Sequence, residues 1–293
     1  MTHLLCFGLG YSATKLAANL ASNGWTISAT ATTPEGAARI AELGYDAHVF
    51  DGTSRPSGLE GEIARATHVV ISAPPGPAGD PVLGLLKDPL AASPQLGFIA
   101  YLSTIGVYGD HGGAWIDETA PAAPRSARSR RRSEAEAAWQ ELALKSGKTA
   151  ISFRIAGIYG PGRSAIENVL DGSARRLIKP GQVFNRIHRD DIASMLEAAM
   201  TGKPTHTVYN VCDDEPAPPQ DVIAFAAQLL GKPVPPGIPF DAARVSEMSA
   251  SFYSENKRTS NARAKSDLGW RPKYPTYREG LIAIAAGLRD GER

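Results

Sequence analysis

The most informative stretch of this chain is His3-Leu-Leu-Cys-Phe-Gly-Leu-Gly-Tyr-Ser-Ala13. A short apolar run ends at Gly8, a second glycine follows at Gly10, and Ala13 begins an apolar helical pattern. Gly8 permits a tight turn, and Gly10 lets a ligand approach the backbone closely. The following helix then presents free N–H groups and its positive dipole end to an anion. This order predicts the diphosphate cradle of a dinucleotide-binding unit, although the same short motif also occurs at tight strand-to-helix turns without a ligand.

The composition of the 293-residue chain is that of an ordinary globular protein, with 43% hydrophobic and 21% charged residues. Its 31 basic and 30 acidic residues create no overall field that attracts nucleic acid or an anionic membrane. Cys6 and Cys212 lie in apolar contexts without metal-ligand spacing, so we expect buried thiols in a reducing compartment and no metal site. No apolar run approaches the ~20 residues of a bilayer span, and no signal-peptide pattern is present. We expect a cytoplasmic protein.

Alternating strand and helix signals predict a doubly wound parallel α/β sheet of the Rossmann type, with right-handed crossovers. The predicted strands are Leu4–Phe7, Thr26–Ala29, Ala47–Phe50, His68–Ser72, Phe98–Ser103, Ala150–Ile155 and Val208–Val211. The predicted helices are Ser12–Ser22, Glu35–Leu43, Ser133–Lys145, Ile192–Met200, Gln220–Leu230 and Tyr277–Leu288. Between Ser72 and Phe98, prolines and glycines favour a short or irregular connection over a full crossover helix.

The predicted domains follow from a change of character after Gly162. We expect a dinucleotide-binding domain, a smaller C-terminal substrate lobe and a C-terminal helix, which cover 1–162 (with about 187–212), 163–186 with 213–275, and 276–293. The proline-rich stretch from Lys232 to Pro239 predicts a loop that ends the preceding helix. Ligands of open α/β sheets bind beyond the carboxyl ends of the strands, so we expect the lobe to hold a small-molecule substrate over that edge.

The end of the second predicted strand bears on the choice of coenzyme. An NAD-selective site usually places a carboxylate there, and the first one in this chain is Glu35, in the first turn of the next helix. Thr32 and Thr33 can donate hydrogen bonds to a 2′-phosphate, and Arg39 follows one turn later. This favours NADP, with NAD possible, over the alternative of a polar loop with an incidental threonine pair. Asp51, after the third strand, either meets the adenine or caps the following turn.

Several later motifs occur in a characteristic order. They are Leu102-Ser-Thr-Ile-Gly-Val-Tyr-Gly109, Arg154-Ile-Ala-Gly-Ile-Tyr-Gly-Pro161, Ile187-His-Arg-Asp-Asp-Ile192 and Tyr209-Asn-Val211, followed by Lys257-Arg-Thr-Ser-Asn-Ala262 and Gly269-Trp-Arg-Pro272. Together they resemble the extended short-chain dehydrogenase/reductase family, the epimerase/dehydratase group that acts largely on nucleotide sugars. The resemblance covers nearly the whole chain, and the last two segments are similar to those of an atypical branch of that family.

The resemblance implies roles for individual residues. In the family, the Ser-Thr-x-x-Val-Tyr-Gly strand supplies a hydroxyl that binds the reacting oxygen, and that role falls on Thr104. The backbone of Ala156–Tyr159 is implied to lie beside the nicotinamide. A Tyr-x-x-x-Lys pair then follows on a helix, where the tyrosine transfers the proton and the lysine lowers its pKa and holds the nicotinamide ribose.

The proton-transfer pair is where this sequence departs from the family. Aligning Glu136 with the family's helix glutamate puts Arg128 at the tyrosine position and Arg132 at the lysine position. Arg132 can still hold the ribose as a fixed cation. Arg128 cannot replace a tyrosine, because a guanidinium has only donors and a pKa above ~12. Tyr108 is then a candidate substitute acid, and His111 is more typical of a solvated loop.

A second departure lies in the substrate lobe. Family members that bind nucleotide diphosphates often carry an arginine four residues before the motif histidine, and Phe184 stands there. A sugar nucleotide is therefore a less favoured substrate, and Arg186, Lys179 and Asn168 are the candidate substrate-binding residues. The candidate coenzyme-binding residues are Gly8, Gly10, Tyr11, Ser12, Ala13, Thr32, Thr33, Asp51, Ser72, Ala73, Pro74, Arg132, Ala156 and Ile158.

Two functions remain open at this point. One is an NAD(P)-dependent oxidoreductase or epimerase-like enzyme that transfers hydride at a carbonyl or carbinol carbon and uses a non-standard proton donor. The alternative is a non-catalytic NADP(H)-binding sensor or partner-binding module. The arginines between Arg125 and Arg132 do not favour nucleic acid, because the run is short and lacks interleaved aromatic residues. The family resemblance also implies a possible homodimer.

Overall fold

The computed structural model describes residues 2–56, 58–240 and 245–291. Residues 241–244 of the predicted substrate lobe and 292–293 of the predicted C-terminal helix lie outside this range. The strands are β1 (His3–Phe7), β2 (Thr26–Ala31), β3 (Asp46–Val49), β4 (His68–Ile71), β5 (Phe98–Thr104), β6 (Trp115–Ile116), β7 (Thr149–Ile155), β8 (Gly157–Tyr159), β9 (Arg176–Ile178), β10 (Arg186–His188), β11 (Val208–Val211), β12 (Gly237–Pro239) and β13 (Arg258–Thr259).

The helices alternate with these strands through the first half of the chain. They are α1 (Tyr11–Ser22), α2 (Pro34–Glu42), α3 (Leu59–Arg65), α4 (Pro81–Ala92), α5 (Ala127–Ser146), α6 (Ala165–Leu170), α7 (Arg189–Thr201), α8 (Pro219–Leu229), α9 (Glu247–Tyr253), α10 (Ala262–Asp267) and α11 (Tyr277–Gly291). A short 3₁₀ turn, Ile105–Tyr108, follows β5 directly.

The main sheet has seven parallel strands in the order β11-β7-β5-β4-β1-β2-β3. The order reverses beside β1, which pairs with β2 on one side and β4 on the other. The connections that follow β1 and β4 leave the sheet on opposite faces, so a crevice opens at the carboxyl ends of these two strands. All seven predicted sheet strands are confirmed, with ends that differ by at most two residues. The predicted doubly wound fold is therefore confirmed.

The prediction of an irregular connection between β4 and β5 was wrong. A full helix, α4, spans Pro81–Ala92. Pro81 occupies the first turn, where its missing N–H costs nothing, and the Asp80 carboxylate caps the helix by accepting the N–H groups of Val82 and Leu83. Burial of an apolar face outweighs the interior proline at Pro89.

Helix α5 begins six residues earlier than predicted, at Ala127 rather than Ser133. The Ser126 hydroxyl accepts the N–H of Ser129 at 3.1 Å and so caps the helix. The arginine-rich stretch is thus the first turn and a half of α5 and not a loop before it. This matters for the site, because it places these side chains on defined faces of a helix.

We call the elements outside the main sheet and its helices, from β8 to β10 and from α8 to α11, the second lobe. Between these two parts of the lobe the chain returns to the main sheet. β10 pairs with β8, α7 packs against α1, and β11 adds the last strand beside β7. α6, α8 and α11 enclose a separate apolar cluster over the carboxyl edge of the sheet. No helix in the described ranges is long and apolar enough to cross a bilayer. Cys6 and Cys212 are buried free thiols, as predicted.

Candidate active site

The turn after β1 is shaped by main-chain contacts. Gly8 has a φ of +87°, a conformation that side-chain-bearing residues rarely adopt. Its N–H donates to the Thr30 hydroxyl at 3.0 Å, which ties the turn to β2. The N–H groups of Ser72 and Ala73 both donate to the Phe7 carbonyl at 3.0 Å, which ties it to the end of β4. The predicted residues Ser72, Ala73 and the exposed Pro74 therefore line the same crevice as Gly8.

The residues after this turn fit a dinucleotide diphosphate. Gly10 is the N-cap of α1 and has no side chain to accept the first N–H groups of the helix. A Cβ at Gly10 would meet only the Ser72 hydroxyl, at 3.9 Å, so packing within the protein does not require glycine there. Ser12, in the first turn, has a buried hydroxyl without a hydrogen-bond partner among the described residues. Open amides, an orphaned hydroxyl and a bare Cα together form a site suited to phosphate oxygens.

The end of β2 presents hydroxyls and one cation. Thr33 caps α2 by accepting the N–H of Gly36 at 3.1 Å, while Thr32 is exposed. Arg39 folds back toward the same turn, with its guanidinium 3.8 Å from the position that a Cβ on Gly36 would occupy. Asp51 accepts the N–H and hydroxyl of Thr53, both at 2.8 Å, so it caps the turn after β3 as the alternative interpretation expected. A contact of Asp51 with adenine stays a prediction.

Thr104 lies at the carboxyl end of β5, and a buried serine outside the motif, Ser129, lies near it. Its hydroxyl accepts the N–H of Gly106 at 3.1 Å. A Cβ on Gly106 would lie 3.4 Å from the Thr104 hydroxyl and 2.8 Å from the Ser129 hydroxyl, so glycine leaves room for both side chains. Ser129 is buried, and its oxygen accepts a hydrogen bond from the Ser126 hydroxyl at 2.9 Å. The hydroxyls of Thr104 and Ser129 therefore lie on either side of Gly106, where the turn after β5 meets the first turn of α5.

The sequence contains a feature that could have predicted the inward orientation of Ser129. It lies seven residues before Glu136, which in a helix is the same face. The predicted start of α5 at Ser133 excluded this residue from the helix, so its orientation could not be deduced.

Further along α5, Glu136 anchors a buried charged network. Its carboxylate accepts three hydrogen bonds from the Arg154 guanidinium, of which the shortest is 2.7 Å, and a short one from the Ser103 hydroxyl. Both charged side chains are almost fully buried. This network fixes α5 against β5 and β7. The alignment of Arg128 and Arg132 with the two functional positions of the family stays a prediction.

The interpretation of Tyr108 as a substitute acid is corrected by the structure. Tyr108 is fully buried, and its hydroxyl donates to the Asn210 side chain at 2.7 Å. Its ring also stacks under the Arg154 guanidinium, at 4.6 Å. Burial raises the pKa of Tyr108 to about 12. A phenol that is enclosed and committed to Asn210 does not deliver a proton to the cleft, so Tyr108 supports the network around Glu136 instead.

Arg128 and Arg132 point in different directions from α5. Arg132 is half-buried, donates to the Leu102 carbonyl and lies 5.9 Å from the ring centroid of Tyr101. Arg128 is exposed, and its guanidinium lies 5.3 Å from the ring centroid of Phe252 in α9. Arg132 thus faces the sheet, whereas Arg128 reaches across to the second lobe.

The segment after β7 closes the crevice from the side of the second lobe. Ala156 is buried and donates its N–H to the Val211 carbonyl at 3.0 Å, while Ile158 is half-buried in β8. Tyr11, the first residue of α1, donates its hydroxyl to the Pro161 carbonyl at 2.8 Å. The cradle helix and this segment are therefore in direct contact, which leaves Ala156 and Ile158 near the predicted coenzyme site.

The motif around His188 is structural. The His188 ring accepts the N–H of Asp190 at 3.2 Å and caps α7. The fully buried Asp191 carboxylate accepts the N–H groups of Lys273 and Tyr274, at 2.6 Å and 3.1 Å. Burial lowers the pKa of His188 to about 4 and raises the pKa of Asp191 to about 6. Both side chains hold the segment before α11 in place.

The predicted substrate residues are distributed differently from the expectation. Arg186 donates to the Phe184 and Ala217 carbonyls, at 2.9 Å and 3.0 Å, and Lys179 donates to the Tyr253 carbonyl. These contacts engage both cations in the packing of the lobe, which weakens the prediction that they bind a phosphate. Asn168 is exposed on α6.

Sequence and structure comparisons find known proteins that are similar to this chain. No protein-family model matches the sequence. A solved structure from Silicibacter pomeroyi DSS, described as a functionally unknown conserved protein, is 48% identical over 98% of this chain and 99% of its own, with a TM-score of 0.88. The chain belongs to that protein's family. A Streptomyces 3-diazoavenalumate denitrifying reductase is 29% identical over 155 residues, which is 48% of this chain and 49% of the reductase.

More distant structures show how widely the fold is shared. The dTDP-glucose 4,6-dehydratase from Bacillus anthracis, solved in complex with NAD, is 18% identical and covers 100% of this chain and 98% of its own, with a TM-score of 0.78. The chain therefore has the α/β fold of the NAD-dependent epimerases and dehydratases, the extended short-chain dehydrogenase/reductases. The resemblance that the motifs indicated is confirmed at this level.

Proposed function

We propose that this chain is an NAD(P)-binding oxidoreductase or epimerase-like enzyme that transfers hydride at a carbonyl or carbinol carbon of a small substrate. One juxtaposition carries the proposal. The glycine turn after β1 and the Thr104 hydroxyl at the end of β5 lie on the same edge of the sheet, separated only by β4. A coenzyme diphosphate on α1 and a substrate oxygen on Thr104 would then flank the same crevice.

The residues of the crevice have separate tasks in this proposal. The amides at the start of α1 and the Ser12 hydroxyl hold the diphosphate, and Thr32, Thr33 and Arg39 favour the 2′-phosphate of NADP. When bound, the nicotinamide supplies or accepts the hydride. Thr104 accepts the Gly106 N–H and so keeps its own O–H available to donate to the substrate oxygen. The similarity of this chain to the Streptomyces reductase and to the dehydratase solved with NAD supports this class of reaction.

Ser129 is our proposed proton donor. Its oxygen already accepts from Ser126, so its own O–H is free to point towards the oxygen that Thr104 holds. As a carbonyl carbon gains hydride, the C=O π pair moves onto the oxygen, which takes the Ser129 proton. Ser126, at the open end of α5, replaces that proton and is itself recharged by solvent. The relay requires no change of charge on Arg128.

Single-turnover kinetics tests this proposal. The protein is loaded with NADPH and mixed with a panel of aldehydes, ketones and aromatic oxo-acids while the nicotinamide absorbance is followed. We expect oxidation with at least one compound and a loss of about 100-fold in Thr104→Val, comparable to removal of one oxyanion donor. Ser129→Ala should lower the rate by a similar factor. Thr119→Val, an exposed threonine outside the crevice, is the matched control.

Arg128 favours one alternative, a non-catalytic NADP(H)-binding sensor. Tight NADP(H) binding by calorimetry, with no turnover across the panel and no effect of Thr104→Val, would support the sensor and contradict the enzyme. Failure of both NADP(H) and NAD(H) to bind would contradict both.

A further inference from the structure

Arg128, like Arg130, Arg131 and Arg132 in the same helix, makes no ion pair with the residues that the structure describes. Among the ion pairs between described residues none includes Arg128, whereas Arg125, one turn earlier, lies 3.4 Å from the Asp110 carboxylate. Arg128 directly precedes Ser129, which packs beside Gly106 and Thr104. The free cation is therefore held at the rim of the crevice, next to the hydroxyls of the proposed reaction.

The Arg128 guanidinium lies over the ring of Phe252, which keeps an exposed side of its own. Phe252 is 50% exposed, although it lies within 5.3 Å of the guanidinium. The next residue, Tyr253, is buried against Phe240, with ring centroids 4.6 Å apart and planes inclined by 21°, and against Phe184. Tyr253 anchors α9, so Phe252 is presented by a fixed helix and not by a loose surface segment.

The two lobes are joined at this point by the neighbouring arginine. Arg125 donates to the Ser254 carbonyl at 3.4 Å, one residue past the end of α9. The start of α5 and the end of α9 thus form two walls a few ångströms apart. One wall offers a guanidinium with five donors, and the other offers an apolar ring of half-exposed area.

We propose that Arg128 and Phe252 form the substrate-specificity site and that the substrate is a small aromatic carboxylic acid. This inference rests on the proposed function. A guanidinium binds a carboxylate through two parallel hydrogen bonds. The Arg128 guanidinium matches one carboxylate, and the planar apolar body of the acid packs against the exposed side of the Phe252 ring. The arginine that stands where the family alignment expects a tyrosine thereby supplies an anion site.

Calorimetry on the NADP⁺-loaded protein tests this site with defined probes. Cinnamate carries the proposed carboxylate and ring, cinnamamide is its neutral isostere, and hexanoate keeps the carboxylate without the ring. We expect cinnamate to bind at least tenfold more tightly than either. Arg128→Gln should abolish the preference over cinnamamide, and Phe252→Leu should abolish the preference over hexanoate.

The controls separate this inference from the proposed function. Arg130→Gln removes one positive charge from the same helix and should leave all three affinities within about twofold. Coenzyme affinity should be unchanged in each variant, which shows that the fold is intact. Equal binding of cinnamate and cinnamamide to the wild type, or an unchanged preference in Arg128→Gln, overturns this inference alone. Absence of coenzyme binding by the wild type overturns the proposed function, and this inference with it.

Discussion

The cradle after β1 and the first turn of α5 lie on the same edge of one sheet. The cradle is formed by main-chain groups, whereas the first turn of α5 acts through its side chains. The cradle is held almost entirely by main-chain groups, such as the two amides that share the Phe7 carbonyl. The start of α5 depends on side chains, with Ser129 turned inwards and Arg128 turned outwards. A site made of backbone is preserved with the fold, whereas a site made of side chains can change its chemistry on an unchanged scaffold.

The same contrast appears within α5 itself. Two turns beyond Arg128, Glu136 and Arg154 form a buried network that fixes the helix against the sheet. We expect that half of the helix to determine stability and the first turn to determine chemistry.

The largest effect should come from Glu136→Gln. The variant leaves the Arg154 guanidinium buried opposite an amide, and breaking a buried pair from one side costs about 3–5 kcal/mol of unfolding free energy. Urea denaturation measures this loss. The control is Glu141→Gln on the exposed side of α5, where the pair with Lys145 is worth only about 0.3–0.5 kcal/mol. Equal losses in the two variants would show that the network does not anchor the helix.

A smaller effect, confined to binding, should follow Gly10→Ser. Serine is a good N-cap, and a Cβ there meets nothing closer than the Ser72 hydroxyl at 3.9 Å, so the unfolding free energy should hardly change. If the diphosphate approaches this Cα, NADP(H) should bind about 100-fold more weakly, which is about 2.7 kcal/mol.

Calorimetry and thermal unfolding together report both quantities for Gly10→Ser. Gly84→Ala, in open space on α4, is the control and should leave coenzyme binding unchanged. Unweakened coenzyme binding in Gly10→Ser would remove the cradle from the proposed site.

The last effect develops only with pH, at the cap of α7, the helix that packs against α1. Burial lowers the pKa of His188 from about 6.5 to about 4, so the neutral ring stabilises the fold above pH 6.5 and this contribution is lost as the pH falls towards 4. The difference in unfolding free energy between wild type and His188→Asn should shrink by about 1.4 kcal/mol per pH unit over that interval.

Asparagine keeps the cap at position 188, and both proteins keep Asp191. The pKa of Asp191 is raised by burial to about 6, so its stabilising effect is greatest at low pH and is lost as the pH rises through 6. That opposite dependence cancels in the difference between the two proteins. A difference that does not vary with pH would show that His188 titrates normally.

The sheet was predictable because buried parallel strands appear as short apolar runs bounded by turn residues. Helix α4 was missed because its prolines count against a helix locally, and only the packing of Leu86 and Leu90 under the sheet compensates for them. The early start of α5 was missed because its first turn is rich in arginine and lacks an apolar stripe. Ser129 was lost with it, and Tyr108 was misjudged because burial is not visible in a motif.

By itself, the sequence determined the doubly wound fold, the glycine cradle at its crevice and the position of Thr104, since each follows from local periodicity, backbone freedom or a motif in one segment. Tertiary packing encloses Tyr108, places Ser129 near Thr104 and brings Arg128 against Phe252. Each of those facts joins residues far apart in the chain, and such pairs are set by how helices pack on the sheet and not by the preferences of any single segment.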